Sequence, residues 1–437
     1  MGHVAMTYDV VVIGAGAAGL MCAAQAGYAG RRVALLDHAN KAGKKILMSG
    51  GGRCNFTNLA TTPQHFYSQN PYFSISALKR YRPEHFVELV ERHGVDYVEK
   101  APGQLFCASS AKDIVQLLLT EAQWAGVDIQ LKTQIHRLEP QGEGICLDTS
   151  LGRIEAGVVV VATGGLSIPT MGATGFGYDI ARQFGLEVLP TRPALVPFTL
   201  GEPWKTRCAA LSGVSLEVAV ECGGGYFKEP MLFTHRGISG PAMLQISSLW
   251  ESGEALRINL LPDEDVATSL RSAREQTPRR KLQTWLGERF PKRVAQALTE
   301  WYGDDANETP LAQYSNAQLD EWAQRLNDWQ LKPTATEGWR TAEVTLGGVS
   351  TEYISSRDFS VKGLPQLRFI GEVLDVTGEL GDTTSSGRGR AVLPVGRRVK
   401  LAVSVSVGVL FWQRHSLKWL FYPAALVGRV CVPASRQ

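Results

Sequence analysis

The chain lacks most of the features that would assign it cheaply to a metal-binding, secreted or membrane class. Its seven cysteines are scattered through 437 residues with no CxxC pair and no Cys/His spacing suited to zinc, so neither a zinc site nor a thioredoxin-like redox motif is expected. No metal site of any other kind is expected. The cysteines read as reduced thiols of a cytoplasmic protein. No secretory signal precedes the first apolar strand. No apolar run reaches the roughly twenty residues that a membrane helix needs. No internal repeat is present.

Charge is also scarce in total and uneven in placement. The formal net charge is +3, yet residues 382–437 carry nine Lys/Arg and one acid, a local net of +8. The rest of the chain is therefore net acidic. Such asymmetry can mark a basic arm, but these basic residues fall on no recognisable nucleic-acid module. The two apolar runs Leu401–Trp412 and Leu417–Val427 are split by Gln413-Arg-His-Ser416, which leaves a basic interfacial anchor as the membrane alternative.

What is present is concentrated at the start. The run Tyr8-Asp-Val-Val-Val-Ile-Gly-Ala-Gly-Ala-Ala-Gly-Leu20 leads into a small-residue helix and then into Arg32-Val-Ala-Leu-Leu-Asp37. Strand, glycine turn, helix and terminal acid together form a dinucleotide-binding fingerprint, which is far more specific than glycine spacing alone. Gly14 permits the tight turn, Gly16 lets a pyrophosphate approach the backbone, and Gly19 allows close helix–sheet packing. The amides of Ala17 and Ala18 open the helix whose positive end faces the phosphates. Asp37 accepts the ribose hydroxyls.

Further on, Lys41–Asn58 is a Gly-rich basic loop, and Glu84–His93 and Lys112–Ala125 have helical spacing. Val127–Glu139 reads as a pair of strands. The run Gly157-Val-Val-Val-Val-Ala-Thr-Gly-Gly165 suits a strand covered on both faces and ending in a glycine turn. Short Val/Thr/Leu runs from about Pro190 to Leu261 read as a β region. A polar helical region follows, in which Ser315-Asn-Ala-Gln318 is a capping box. Strand-like sequence returns at Glu343, with Leu367–Leu374 the last convincing strand. The expected fold is α/β: a Rossmann-like domain over 1–190 and 341–381, interrupted by a β domain over 191–262 and a helical subdomain over 263–340, and followed by an aberrant basic tail over 382–437.

Six segments, in order, now resemble one family: Val10–Leu20, Gly43–Asn55, Val158–Gly165, Phe233-Thr-His-Arg-Gly-Ile-Ser-Gly-Pro241, Thr345-Leu-Gly-Gly-Val349 and Gly371-Glu-Val-Leu-Asp-Val-Thr-Gly378. The chain is similar over about residues 8–381 to the HI0933-like (YhiN/BaiN-type) FAD-binding flavoproteins. The resemblance implies FAD as the nucleotide held by Gly14, Gly16, Gly19 and Asp37 with His38, and an FAD-dependent oxidoreductase that passes a hydride between flavin and a small organic substrate. It places Lys44, Lys45, Gly52, Arg53, Cys54 and Asn55 against flavin and pyrophosphate. Gln134 and Ile135 fall at the adenine edge, Thr163 and Gly164 at a second backbone approach, and Gly371, Glu372 and Asp375 on the ribityl side.

The chemistry of these residues agrees with the placement. Lys44, Lys45 and Arg53 can offset phosphate charge. Cys54 beside Arg53 is either a low-pKa thiol or a small packed residue. His235 and Arg236 are the candidate catalytic residues, as substrate contacts in a Gly/Pro-punctuated loop, or else a structural turn. No second fingerprint exists, so NAD(P)H, as an electron donor, would have to enter the flavin cleft. Neither nucleic acid nor a membrane is expected as a partner, and nothing indicates an oligomeric state.

One segment departs from the family. After Gly378 the family continues glycine–glycine–tyrosine–asparagine–phenylalanine–glutamine–tryptophan–alanine–tryptophan, whereas this chain has Gly381-Asp-Thr-Thr-Ser-Ser-Gly-Arg-Gly389. Codons GGC GGA TAC AAC TTC CAG TGG GCG TGG, losing one G, become GGC GAT ACA ACT TCC AGT GGG CGT GG and encode the observed residues. The expectation is out-of-frame translation beyond Gly381. Its functional counterpart is a truncated flavoprotein that is inactive or deficient in FAD.

Overall fold

The computed structural model describes residues 6–101, 103–302 and 309–378; the basic tail and Cys431 lie outside them. The first domain is a sheet in the order Ser360–Val361, Leu364–Phe369, Gly152–Val161, Met6–Ile13 (β1), Val33–Asp37 (β2), Asp128–Leu131. The central pairs are parallel, with Val10, Val11 and Val12 opposite Val158, Val159 and Val160. Val10, Val11, Val12, Val159 and Val160 are buried, as expected in the middle of a parallel sheet, which is why the run is apolar without alternation. The crossover helix α1 (Ala17–Tyr28) packs on the sheet through Ala23, Ala24 and Ala26, all fully buried. Such small side chains let its backbone approach both the sheet and the helix Lys112–Trp124.

The expected strand pair over Val127–Glu139 divides between two neighbours. Asp128–Leu131 runs parallel beside β2, while Ile135–Gln141 pairs antiparallel with Gly144–Thr149. A three-stranded sheet that the sequence did not disclose joins Asn55–Asn58, Gln104–Cys107 and Tyr97–Ala101. The last strand ends at Phe369 rather than Leu374, because Gly371 turns the chain at φ +76° into a short 3-10 segment.

The inserted region differs from expectation in one respect. Strands of 198–336 form a single antiparallel sheet in which Trp329–Leu331 and Ala335–Thr336 lie at the two edges. The helices between them bury Trp285, Trp322 and Leu326 in the same core as Val218, Ile258 and Leu331. The β and helical regions are therefore one packed unit. The apolar stripe of the helix Asn316–Asn327 has to cover something, and it covers the sheet. Its capping box forms as expected, Gln318 N–H donating to Ser315 Oγ at 3.3 Å and Ser315 N–H to Gln318 Oε1 at 2.9 Å. The unit joins the first domain through the antiparallel ribbon Val188–Ala194 with Val344–Val349. Among the described residues, no helix is long and apolar enough to cross a membrane.

Candidate nucleotide-binding site

The fingerprint forms a cradle at the carboxyl end of β1. A Cβ on Gly14 would sit 2.5 Å from the Ala162 carbonyl oxygen, and one on Gly19 would overlap the Gly14 carbonyl. Both glycines therefore permit close packing. Gly16 is different: its backbone is ordinary extended chain at φ −83°, ψ −170°, and a Cβ there would meet nothing within 4 Å. Above it α1 begins with no side-chain cap and no acid in its first turn. Open space over uncapped first-turn amides is what a pyrophosphate requires.

Asp37 fixes the other wall. Its Oδ2 accepts Ala15 N–H and its Oδ1 accepts Ala39 N–H, both at 2.7 Å. Each carboxylate oxygen keeps a further lone pair for a ribose hydroxyl. His38 stands beside it, half-exposed, with its Nε2 3.4 Å from where a Cβ on Gly172 would lie. Gln134 is placed differently from expectation. Its N–H donates to Ser150 Oγ and its carbonyl accepts Ser150 N–H, so its amide is not free to read an adenine edge. Ile135 stands opposite Thr149 at the start of the adjoining ladder.

The basic loop lies next to this cradle. The short helix α2 (Lys44–Met48) leads into Gly50, Gly51 and Gly52 at φ +59°, +66° and +83°. Lys44 is half-buried and Arg53 exposed. Lys45 does not point its charge freely at a phosphate: its Nζ lies 3.1 Å from Glu372 Oε2 and donates to Ser167 Oγ at 2.8 Å. Glu372 Oε1 also accepts Ser167 Oγ–H at 3.1 Å and Thr345 N–H at 3.0 Å. Thr345 Oγ1 in turn accepts Leu166 N–H at 2.8 Å. Four separate segments are tied into one knot beside the loop, and Lys45 and Glu372 are clamps within it. Ser167 was not among the residues the sequence singled out, and Thr345 entered only as the first residue of a family-like segment with no site role. The glycine pairs beside each, Gly164-Gly165 and Gly347-Gly348, were the available signal.

One alternative is decided and two other expectations are corrected. Cys54 is fully buried, and burial pushes its thiol up to about 12, so it is a packed residue and not a low-pKa nucleophile. Asn55 is buried, and its side-chain amide is oriented to donate to the Leu105 and Thr57 carbonyls at 3.1 and 3.0 Å. Asp375 is also buried, and its Oδ2 accepts Gln69 N–H at 2.8 Å and Ser68 Oγ–H at 3.4 Å. It therefore ties down a loop. Thr163 and Gly164 follow Ala162, whose N–H donates to the Ile13 carbonyl at 2.8 Å, so they border the Gly14 turn.

Burial raises the Asp375 carboxyl above its ordinary value of 3.8, against the opposing pull of Gln69 and Ser68. The folded state then binds its proton more tightly than the unfolded state, so this group costs stability as pH rises from about 3.8 through the raised folded value. Asp375→Asn keeps an acceptor for Gln69 and removes that cost, and should melt at or above wild type at about pH 7. Asp375→Ala leaves the Gln69 amide without its acceptor and should lose about 1–3 kcal/mol. Thermal melts of the two variants check both signs.

His235 and Arg236 are carried by the inserted sheet. They form the tip of the hairpin joining Gly225–Phe233 to Gly237–Ser239, where Thr234 Oγ1 accepts Arg236 N–H at 3.3 Å and Gly237 N–H at 3.1 Å. Leu200 N–H donates to the Arg236 carbonyl. This is the turn reading of the pair, with His235 exposed. Among the described residues, no group of His, Cys, Asp and Glu could hold a metal.

A Rossmann cradle with a basic glycine loop and an inserted second domain is the architecture of a dinucleotide-binding protein. The chain belongs to the HI0933-like family: residues 8–383 match its profile, described as the HI0933-like protein Rossmann domain. It is 47% identical over 375 residues to the ribosomal RNA dihydrouridine synthase of Escherichia coli K12, covering 86% of this chain and 93% of that protein. It is 28% identical over 390 residues to the 3-dehydro-bile acid delta(4,6)-reductase of Clostridium scindens, covering 85% and 93%. Among solved structures, a flavocytochrome c3 fumarate reductase aligns over 94% of this chain and 79% of that one, at 18% identity and a TM-score of 0.45.

Proposed function

We propose that this chain is an FAD-dependent reductase of uridine in ribosomal RNA. The observation that carries the cofactor is the open, uncapped space over Gly16, which fits a pyrophosphate. Gly14, Gly16, Gly19 and Asp37 would hold the adenosine diphosphate half of FAD, and the Lys44–Asn55 loop with the Lys45–Glu372 knot would hold the flavin half. Bound there, FAD supplies two-electron reduction. The protein's own part is to orient the ring and exclude water between the two domains.

The substrate rests on the relatives. At 47% identity over 93% of the Escherichia coli protein, an RNA substrate displaces the expectation of a free small molecule. The names of both relatives describe saturation of a carbon–carbon double bond conjugated with a carbonyl, in a uracil ring or in a 3-oxo steroid. That shared reaction class, and not a hydroxyl oxidation, is the reading favoured here. NAD(P)H is the proposed donor. The test is incubation of the purified chain with FAD, NAD(P)H and an unmodified ribosomal RNA transcript, followed by nuclease digestion and mass spectrometry. Dihydrouridine at a defined position is expected; no dihydrouridine, with turnover of a 3-oxo-diene steroid, would replace RNA with the other substrate.

The tail is proposed to be out of frame. The family match stops at residue 383, two residues past Gly381, although alignment covers more of the Escherichia coli protein than of this chain.

A further inference from the structure

Two buried side-chain NH2 groups near the basic loop have no hydrogen-bond acceptor. Asn58 and Gln104 face each other across the small sheet, as register partners of the strands Asn55–Asn58 and Gln104–Cys107. Asn58 is 0% and Gln104 4% exposed. Asn58 Nδ2 and Gln104 Nε2 are both buried without a hydrogen-bond acceptor. The orientation of Asn58 is fixed, because its Oδ1 accepts Ala60 N–H at 2.9 Å, so the unpartnered atom is the donor. An orphaned buried amide is costly, and two on one sheet face call for a ligand that supplies acceptors.

The register indicates which face this is. Asn55 pairs with Phe106, and Asn58 with Gln104. Phe106 and Gln104 are two apart on their strand and so share a face. The Phe106 ring packs against Gly50, where a Cβ would lie 2.9 Å from its Cε1. The two amides thus stand on the face of the sheet that carries the Ser49–Arg53 loop.

We propose that Asn58 and Gln104 read the imide edge of a pyrimidinedione ring. Asn58 Nδ2 offers a donor, and the Gln104 amide offers an acceptor and a second donor. Donor–acceptor–donor complements the carbonyl, N–H, carbonyl edge of such a ring. Two molecules carry that edge, the flavin of FAD and the uracil of the substrate. The inference rests on the cofactor and substrate reading above.

The test uses the full chain and the variants Asn58→Leu, Asn58→Asp and Gln104→Leu. Gln104→Leu removes a donor that has no acceptor, so it should melt no lower than wild type, whereas Asn58→Leu also loses the bond from Ala60 N–H and should melt lower. FAD affinity is followed by flavin fluorescence. Affinity for a uridine-bearing oligonucleotide, and for one with N3-methyluridine, is followed on FAD-loaded protein. If the flavin is the ligand, the Kd for FAD rises at least about ten-fold in each variant and discrimination against N3-methyluridine is unchanged. If uracil is the ligand, FAD affinity holds, while the Kd for the uridine oligonucleotide rises about ten-fold and discrimination against N3-methyluridine is lost. Affinities all within two-fold of wild type overturn the assignment. So does a large drop in apoprotein melting temperature in Gln104→Leu, because its amide would then have a structural partner. A wild-type chain that binds neither FAD nor RNA overturns the inference together with the reading beneath it, and is recognised because wild type itself fails.

Discussion

Gly16→Val is expected to abolish FAD binding and leave the protein folded. The backbone at Gly16 is in a region that any residue adopts, and nothing lies within 4 Å of a Cβ built there. The Cβ of valine therefore meets no protein atom as it enters, and the side chain fills the space over the first-turn amides of α1 that a pyrophosphate needs. A loss of about a hundred-fold or more, roughly 2.8 kcal/mol, follows from losing that contact. Gly19→Ala is the control. Its Cβ would overlap the Gly14 carbonyl, so the strand–helix turn must shift and the fold itself should weaken by about 1–3 kcal/mol. Melting curves and FAD titrations of the two variants should separate cleanly: one folded and empty, the other destabilised.

Restoring the reading frame after Gly381, by inserting a single G, is expected to tighten FAD binding by about ten-fold or more. The last described strand, Thr377–Gly378, pairs with Phe66–Tyr67, and Thr377 Oγ1 donates to the Thr345 carbonyl at 2.8 Å. The chain therefore leaves the described fold beside the knot formed by Thr345, Glu372, Ser167 and Lys45. Residues 382–389 of this chain are Asp, Thr, Ser, Gly and Arg, with no aromatic side chain. The family segment offers aromatic ones that can cover a ring and exclude water. Side-by-side titration of the two forms is the check. Equal affinities would mean that the tail has no bearing on the cofactor, and a genomic sequence with no frame encoding the aromatic segment would remove the frameshift explanation.

The parts of the fold that were legible in the sequence are those whose cause is local. The fingerprint, the four-valine strand and the Ser315 capping box each need only a few neighbouring residues. The clamp between Lys45 and Glu372 joins residues 327 positions apart, and no local pattern foretells it. Lys45 was consequently expected to face phosphate. Asp375 was misplaced for the same reason, since its partner Gln69 is 306 positions away. The unity of the inserted region was hidden because its sheet closes through Phe198–Thr199 and Ala335–Thr336, strands too short to show any period. Asn58 and Gln104 became notable only when the register set them opposite each other. His235 and Arg236 had suggestive chemistry and a loop setting, but a hairpin turn produces the same pattern of glycine, threonine and proline.

The central claim is that this chain holds FAD in the cradle of Gly14, Gly16, Gly19 and Asp37. Titration of FAD into the purified full chain, read by flavin fluorescence, tests it most directly. The account predicts saturable binding of a single equivalent of FAD that Gly16→Val removes. Binding that never saturates, or that is the same in wild type and Gly16→Val, would contradict it.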